Sequence, residues 1–203
     1  MLLKNQKAFS LLEIAIVLVI IGAIMAIAAP RLFDKKSETR KVFREFIIAG
    51  KDLKSRAKLA NLTYRMAFDL TEKSQSWWVE KSSRAIVLDK TKAEEANNES
   101  KKEKAGADGE SKPPTEFQMD ESIFKKKQKL PSGYRFKQVE SGTLDLIVTE
   151  GMAYIHFFPQ GLIETSALQI EDPKKNVFTL VYNPLTGHSD IIPEAKLLKE
   201  LAR

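Results

Sequence analysis

Residues 11–29 are apolar or glycine at every position except Glu13, a run of nineteen with no polar face at either a helical or a strand period. At about 1.5 Å per residue such a helix nearly matches a hydrocarbon core of about 30 Å, so a membrane span is expected over residues 9–29. Further on the pattern changes. Val42, Phe46, Ala49, Leu53, Ala57 and Ala60 recur every three or four residues in an otherwise charged stretch. This predicts an amphipathic stalk helix over residues 30–62, ending near Asn61, with its apolar stripe packed on a core. From residue 63 the pattern switches to strands: 64–70 and 76–80 around a turn at 71–75, a short strand at 85–88, then 134–139, 144–148, 153–158, 167–171, 177–182 and 189–192. Phe158-Pro159-Gln160-Gly161 and Asn183-Pro184-Leu185-Thr186-Gly187 supply turn residues between them, and 194–202 closes the chain as a short helix.

The expected fold class is therefore α+β, a long N-terminal helix packed on an antiparallel β-sheet domain at 63–203. Trp77 and Trp78 are neighbours in a strand and face opposite ways, so one belongs to the core. The other is either a subunit contact or a ring covered by a loop. Residues 90–116 contain no Val, Ile, Leu, Met or aromatic residue. They cannot bury enough apolar surface to offset ordering entropy, which makes them an expected mobile insertion.

The charge balance adds little. Thirty-three Lys and Arg against 27 Asp and Glu give +6, spread along 203 residues, too weak and too dispersed to call for a nucleic-acid partner. The run Lys125-Lys126-Lys127-Gln128-Lys129 is read as solvated charge rather than a lipid or DNA contact. There is no cysteine, which excludes disulfides and thiol catalysis. Of the two histidines, His156 lies among apolar residues of an expected strand and His188 in a turn. His188-Ser189-Asp190 holds the residue types of a catalytic triad, but neighbours on a strand alternate sides and cannot line up as nucleophile, base and orienter. No Gly-rich phosphate loop is present, and two histidines without cysteine supply a metal poorly. No catalytic residue, cofactor or metal is expected, and the chain reads as a non-enzyme.

Glu13 carries the most specific chemistry. A carboxylate within an apolar span costs a few kcal/mol and is usually functional. The apolar run exceeds the hydrophobic region of an ordinary secretory signal, although Ala26-Ile27-Ala28 could serve as a signal-peptidase site; a plain anchor or a buried core helix explains the length but not the acid. The surrounding string Lys7-Ala8-Phe9-Ser10-Leu11-Leu12-Glu13-Ile14 resembles the processing site of type IV prepilins and type II secretion pseudopilins. That resemblance implies removal of a basic leader, residues 1–8, by a prepilin peptidase between Ala8 and Phe9, and N-methylation of Phe9. The residue before the cut is normally Gly and is Ala8 here. The family's assembly glutamate falls on Glu13 and its helix-bending proline on Pro30. Gly22 is a second weak point in the helix, since Gly disfavours helix and Pro30 removes an N–H and crowds the carbonyl of Ala26.

Cleavage would remove Lys4 and Lys7, lower the formal charge from +6 to +4, and create an amine one helical turn from Glu13. That amine can pair with the Glu13 of a neighbouring subunit and so set register, or within its own chain. Flanking charge alone points the other way. Arg31, Lys35, Lys36, Arg40 and Lys41 outnumber Lys4 and Lys7, and the positive-inside rule would leave the C-terminal part in the cytoplasm. The processing-site resemblance implies a single-pass inner-membrane protein with its C-terminal domain in the periplasm.

Residues 52–65 and the segments Phe158-Pro159-Gln160-Gly161 and Tyr182-Asn183-Pro184-Leu185-Thr186-Gly187 are similar to the corresponding parts of H-type minor pseudopilins. The resemblance implies a type IV pilin-like fold and the role of a minor pseudopilin in the periplasmic fibre of a type II secretion system. Its partners would be the peptidase, other pilins or pseudopilins, and inner-membrane lipid. Two alternatives stay open: a minor pilin of a type IV pilus for adhesion, motility or DNA uptake, and a membrane-tethered periplasmic binding module.

Overall fold

The computed structural model describes residues 11–82, 86, 88, 90–91 and 117–201, the side chains of 26–38 excepted. It forms two compact units, Met1–Lys41 and Val42–Arg203. Helix α1, Leu11–Ala60, belongs to both. It ends where the sequence places its end: Asn61 takes the left-handed conformation (φ 53°) and the Leu62 N–H reaches back 3.2 Å to the Ala57 carbonyl. This closure satisfies an otherwise orphaned helix carbonyl and turns the chain into the first strand.

Two five-stranded sheets follow, antiparallel at every pairing. The first holds β1 (Thr63–Asp69), β2 (Ser76–Ser82), β3 (Gln118–Met119), β4 (Gln128–Lys129) and β7 (Met152–Phe157), in the order β3-β2-β1-β7 with β4 also on β2. The second holds β5 (Arg135–Ser141), β6 (Leu146–Val148), β8 (Ser166–Glu171), β9 (Val177–Tyr182) and β10 (Ser189–Ile192), in the order β10-β9-β8-β5-β6. A four-residue helix α2, Leu198–Leu201, ends the described chain.

The α+β class and the main strands agree with the sequence pattern, with local differences. β3 and β4 come from segments without apolar alternation. β4 lies inside the lysine-rich run read as solvated charge, pairing Gln128 with Trp77 and Lys129 with Ser76, while Lys127 Nζ sits 3.7 Å over the Trp78 ring. β6 starts at Leu146 rather than 144, because Asp145 has φ 49° and cannot continue an extended strand. Ile86 and Leu88 lie in no strand, and the rest of 85–88 falls outside the described residues, as do 92–116 of the expected insertion. The terminal helix is shorter than 194–202 because Thr179 intervenes. Its hydroxyl donates to the Glu194 carbonyl (2.7 Å) and accepts the Lys196 N–H (3.1 Å), so helical bonding starts only beyond them.

The core of Val42–Arg203 is built on the stalk stripe. Val42, Phe43, Phe46, Ala49, Leu53 and Ala57 are buried, whereas Ala60, in the last turn, is exposed. Phe46 is central, with ring centroids 4.9 Å from Trp77, 6.0 Å from Phe136 and 6.2 Å from Phe68. At Gly50 the helix comes close to the second sheet: a Cβ built there would lie 2.5 Å from Tyr182 Cε1. The Tyr182 hydroxyl donates to the Phe46 carbonyl at 3.0 Å, and burial pushes its pKa upward, so it remains a donor at any ordinary pH. Both tryptophans are buried, Trp77 in the core and Trp78 beneath Lys127 with its Nε1 donating to Glu80 (2.7 Å), which favours loop cover over a subunit contact.

Candidate functional site

The site singled out by the sequence lies at the N-terminus. Ala8 and Phe9 fall outside the described residues. Glu13 is in the first described turn of α1 and is exposed. Around it the helix shows apolar surface on every side. Ile16, Val17, Leu18, Val19, Ile20 and Ile21 are all exposed, from 45% at Ile21 to 72% at Val19. Six consecutive residues at about 100° each sweep the whole circumference, so this segment has no core face and no water face. Apolar surface of that kind requires a non-aqueous surround or partner chains.

Among the described residues no helix is long and apolar enough to cross a membrane. The apolar run continues beyond Met25 into positions whose side chains are not described. Gly22 is open, with nothing within 4 Å of an added Cβ. The backbone stays helical across both Gly22 and Pro30.

Among the described residues of the second unit, the triad-type residues His188, Ser189 and Asp190 do not come together as a catalytic constellation. His188 Nε2 stands 3.5 Å from Asp190 at the surface, while Ser189 Oγ is buried and without a hydrogen-bond partner, so the three side chains do not form a relay. Among the described residues no group of three or more His, Asp or Glu is placed to hold a metal ion.

The sequence gives no hint of a buried polar network at Glu164. This carboxylate accepts from the Ser141 hydroxyl, from the His156 N–H (3.0 Å) and from His156 Nδ1 (2.7 Å). Three separate segments converge there, β5, β7 and the stretch before β8, and no local spacing could have revealed it. The carboxylate separates Ser141 from His156, so the cluster ties strands together rather than activating a nucleophile. On the first sheet the Arg65 guanidinium is held between the rings of Phe117 (3.8 Å) and Tyr154 (3.9 Å) and pairs with Glu80 at 2.6 Å. Burial is the main influence on the Tyr154 phenol and raises its pKa against the opposing pull of Arg65. Both carboxylates, Glu164 and Glu80, have their donors within these clusters, and the arrangement is that of packing.

Comparison with known proteins agrees with the N-terminal reading. Residues 3–29 match the family model described as the prokaryotic N-terminal methylation motif. The chain thus carries a pilin-type N-terminus, as the string around Phe9 and Glu13 suggests. No curated protein sequence matches the chain. Among solved structures it is similar to the minor pseudopilin EPSH from the type II secretion system of Vibrio cholerae, at 10% identity over 80% of this chain and 98% of that one, with a TM-score of 0.43.

Proposed function

We propose that the chain is a non-enzymatic subunit, a minor pseudopilin, of the periplasmic fibre of a type II secretion system. The observation that carries this reading is the methylation motif at residues 3–29 running into a helix that is apolar on every side and interrupted by one acid, Glu13. A prepilin peptidase removes residues 1–8 on the cytoplasmic face and Phe9 becomes the methylated N-terminus. Residues 9–29 then anchor the protein in the inner membrane, with the C-terminal unit in the periplasm. In the fibre, Glu13 receives the Phe9 amine of an adjacent subunit, since a carboxylate among apolar side chains is tolerated chiefly when a cation pairs with it. Gly22 and Pro30 are the places where the helix loosens on assembly. Partners are other pseudopilins and inner-membrane lipid, with neither nucleic acid nor cofactor.

The test has two parts. Mass spectrometry of the mature protein is expected to find N-methylated Phe9 as the first residue; Ala29 in that position would make this an ordinary secreted domain. Glu13→Val is then expected to keep leader cleavage and membrane levels while lowering cross-linking to fibre partners, and equal recovery with wild type would refute the pairing role. A minor pilin of a type IV pilus shares this N-terminal chemistry; deletion of the gene separates the two, abolishing secretion in one case and piliation in the other.

A further inference from the structure

Within the unit Val42–Arg203, one face of α1 and two turns enclose an open groove lined by Lys51, Lys54, Lys58, Leu162, Leu185 and His188. The three lysines recur at i, i+3 and i+7, and among the described residues none forms an ion pair. Two acids close by in the sequence already have partners: Asp52 pairs with Arg56 at 2.7 Å, and Asp190 with His188 of the groove lining at 3.5 Å. The lysine stems are seated on glycines that the turns require. Gly187 (φ 72°) carries the Lys54 stem so closely that an added Cβ would lie 2.7 Å from Lys54 Cδ, and Gly161 (φ 78°) lies beneath the Lys58 stem, 3.5 Å from an added Cβ to Cδ. Lys54 Nζ also donates to the Leu185 carbonyl.

The turn at 183–188 spends its own N–H groups internally. The Leu185 and Thr186 N–H groups bond Asn183 Oδ1, the Gly187 N–H bonds the Asn183 carbonyl, and the His188 N–H bonds Thr186 Oγ1. The groove therefore offers lysine ammonium groups borne at regular positions on one helix, not a nest of backbone donors for a small anion. Leu185, 72% exposed, and Leu162, 40% exposed, add an apolar rim.

We propose that this groove docks an acidic segment of a neighbouring subunit, one with two carboxylates about 10 Å apart and an apolar residue between them. That distance follows from seven residues at about 1.5 Å of rise between Lys51 and Lys58. A helix with acids at i and i+7 meets it, since both then lie on one face about two turns apart. Charge complementarity selects the occupant, and the leucine rim gives the segment a place to bury its apolar side chain. Only the identification of the partner as a fibre subunit rests on the proposed function; the groove's preference for an acidic segment does not.

The test uses the full-length chain in a zwitterionic detergent and a fluorescein-labelled helical peptide with Glu at positions seven apart and Leu between them. Fluorescence anisotropy is expected to show saturable binding that weakens about ten-fold or more in Lys51→Glu/Lys58→Glu. Binding is also expected to fall steeply by about 0.5 M salt and to be lost when Gln replaces Glu in the peptide. Lys51→Gln/Lys58→Gln, which introduces no new repulsion, is expected to fall between wild type and the reversal, with an unchanged melting temperature. Absence of binding, equal binding of the Gln peptide, or indifference to both lysine variants would overturn the proposal. Displacement of the peptide by millimolar inorganic phosphate would overturn it too, by making the groove a small-anion site. The N-terminal mass of the mature protein tests the fibre reading separately, so the two failures are distinguishable.

Discussion

Gly50→Ala pits a local preference against a tertiary contact. In an exposed helix the change would stabilise by about 1 kcal/mol, because Gly is the poorer helix former. Here the new methyl meets the Tyr182 ring at 2.5 Å, and that ring cannot step aside: it is fully buried and its hydroxyl is tied to the Phe46 carbonyl at 3.0 Å. Overpacking of this kind costs about 1–3 kcal/mol, and displacement of the hydroxyl forfeits about 1 kcal/mol more. The net expectation is a loss of about 1–3 kcal/mol, a fall in melting temperature of a few degrees for a unit of this size. A thermal melt followed by circular dichroism measures it.

The companion variant Tyr182→Leu removes the ring, and in that background Gly50→Ala is expected to change sign and stabilise, a coupling that a double-mutant cycle reads directly. A rise in melting temperature for Gly50→Ala alone would refute the reasoning, for it would mean that α1 and β9 do not meet at this distance.

Glu171 is held by Lys175 (2.9 Å) and Arg135 (3.0 Å), which bring its pKa down to about 2, so its contribution is complete above the ordinary carboxylate pKa and is lost as pH falls through about 2. Because those cations are largely exposed and screened, the contribution is about 1 kcal/mol; urea melts at pH 5 and pH 2 are expected to differ less in Glu171→Gln than in wild type, and an equal difference would contradict the assignment. Glu164→Ala leaves the Ser141 hydroxyl and two donors of His156 without their acceptor and is expected to lose about 3 kcal/mol in a denaturant titration, far more than the exposed Glu121→Ala. Replacing residues 84–115 with a two-residue Asn-Gly turn is expected to change the melting temperature by less than about 2 °C, because β2, which ends at Ser82, and β3, which begins at Gln118, already pair with each other. A large loss there would show that the segment is part of the fold.

The stalk stripe was legible because a 3.6-residue period is written into the chain itself, and so was the helix end, since the residue at 61 is an Asn that tolerates the left-handed conformation. Phe43 escaped the stripe because it flanks Val42 and is buried by Phe178 of β9, a contact with no counterpart in the local pattern. β3 and β4 were invisible for a related reason: two residues cannot display a period, and what makes them strands is the exposed edge of β2. At the N-terminus the opposite holds. The motif around Phe9 and Glu13 is contiguous, so the sequence displays all of it, whereas the lysine groove draws on α1 and two distant turns and becomes visible only when the chain is folded.

The stalk stripe has a mechanical side. From Val42 to Ala57 the helix contributes core residues over about 22 Å of its axis, and the Tyr182 hydroxyl grips its backbone at Phe46, about a quarter of the way along. A pull along α1 would therefore load these contacts together, in shear, rather than peel them one at a time. Separating helix from sheets demands that Phe46, Leu53 and their neighbours leave the core at once, so the unit is built to yield last under axial tension and first under a sideways lever at its exposed final turn.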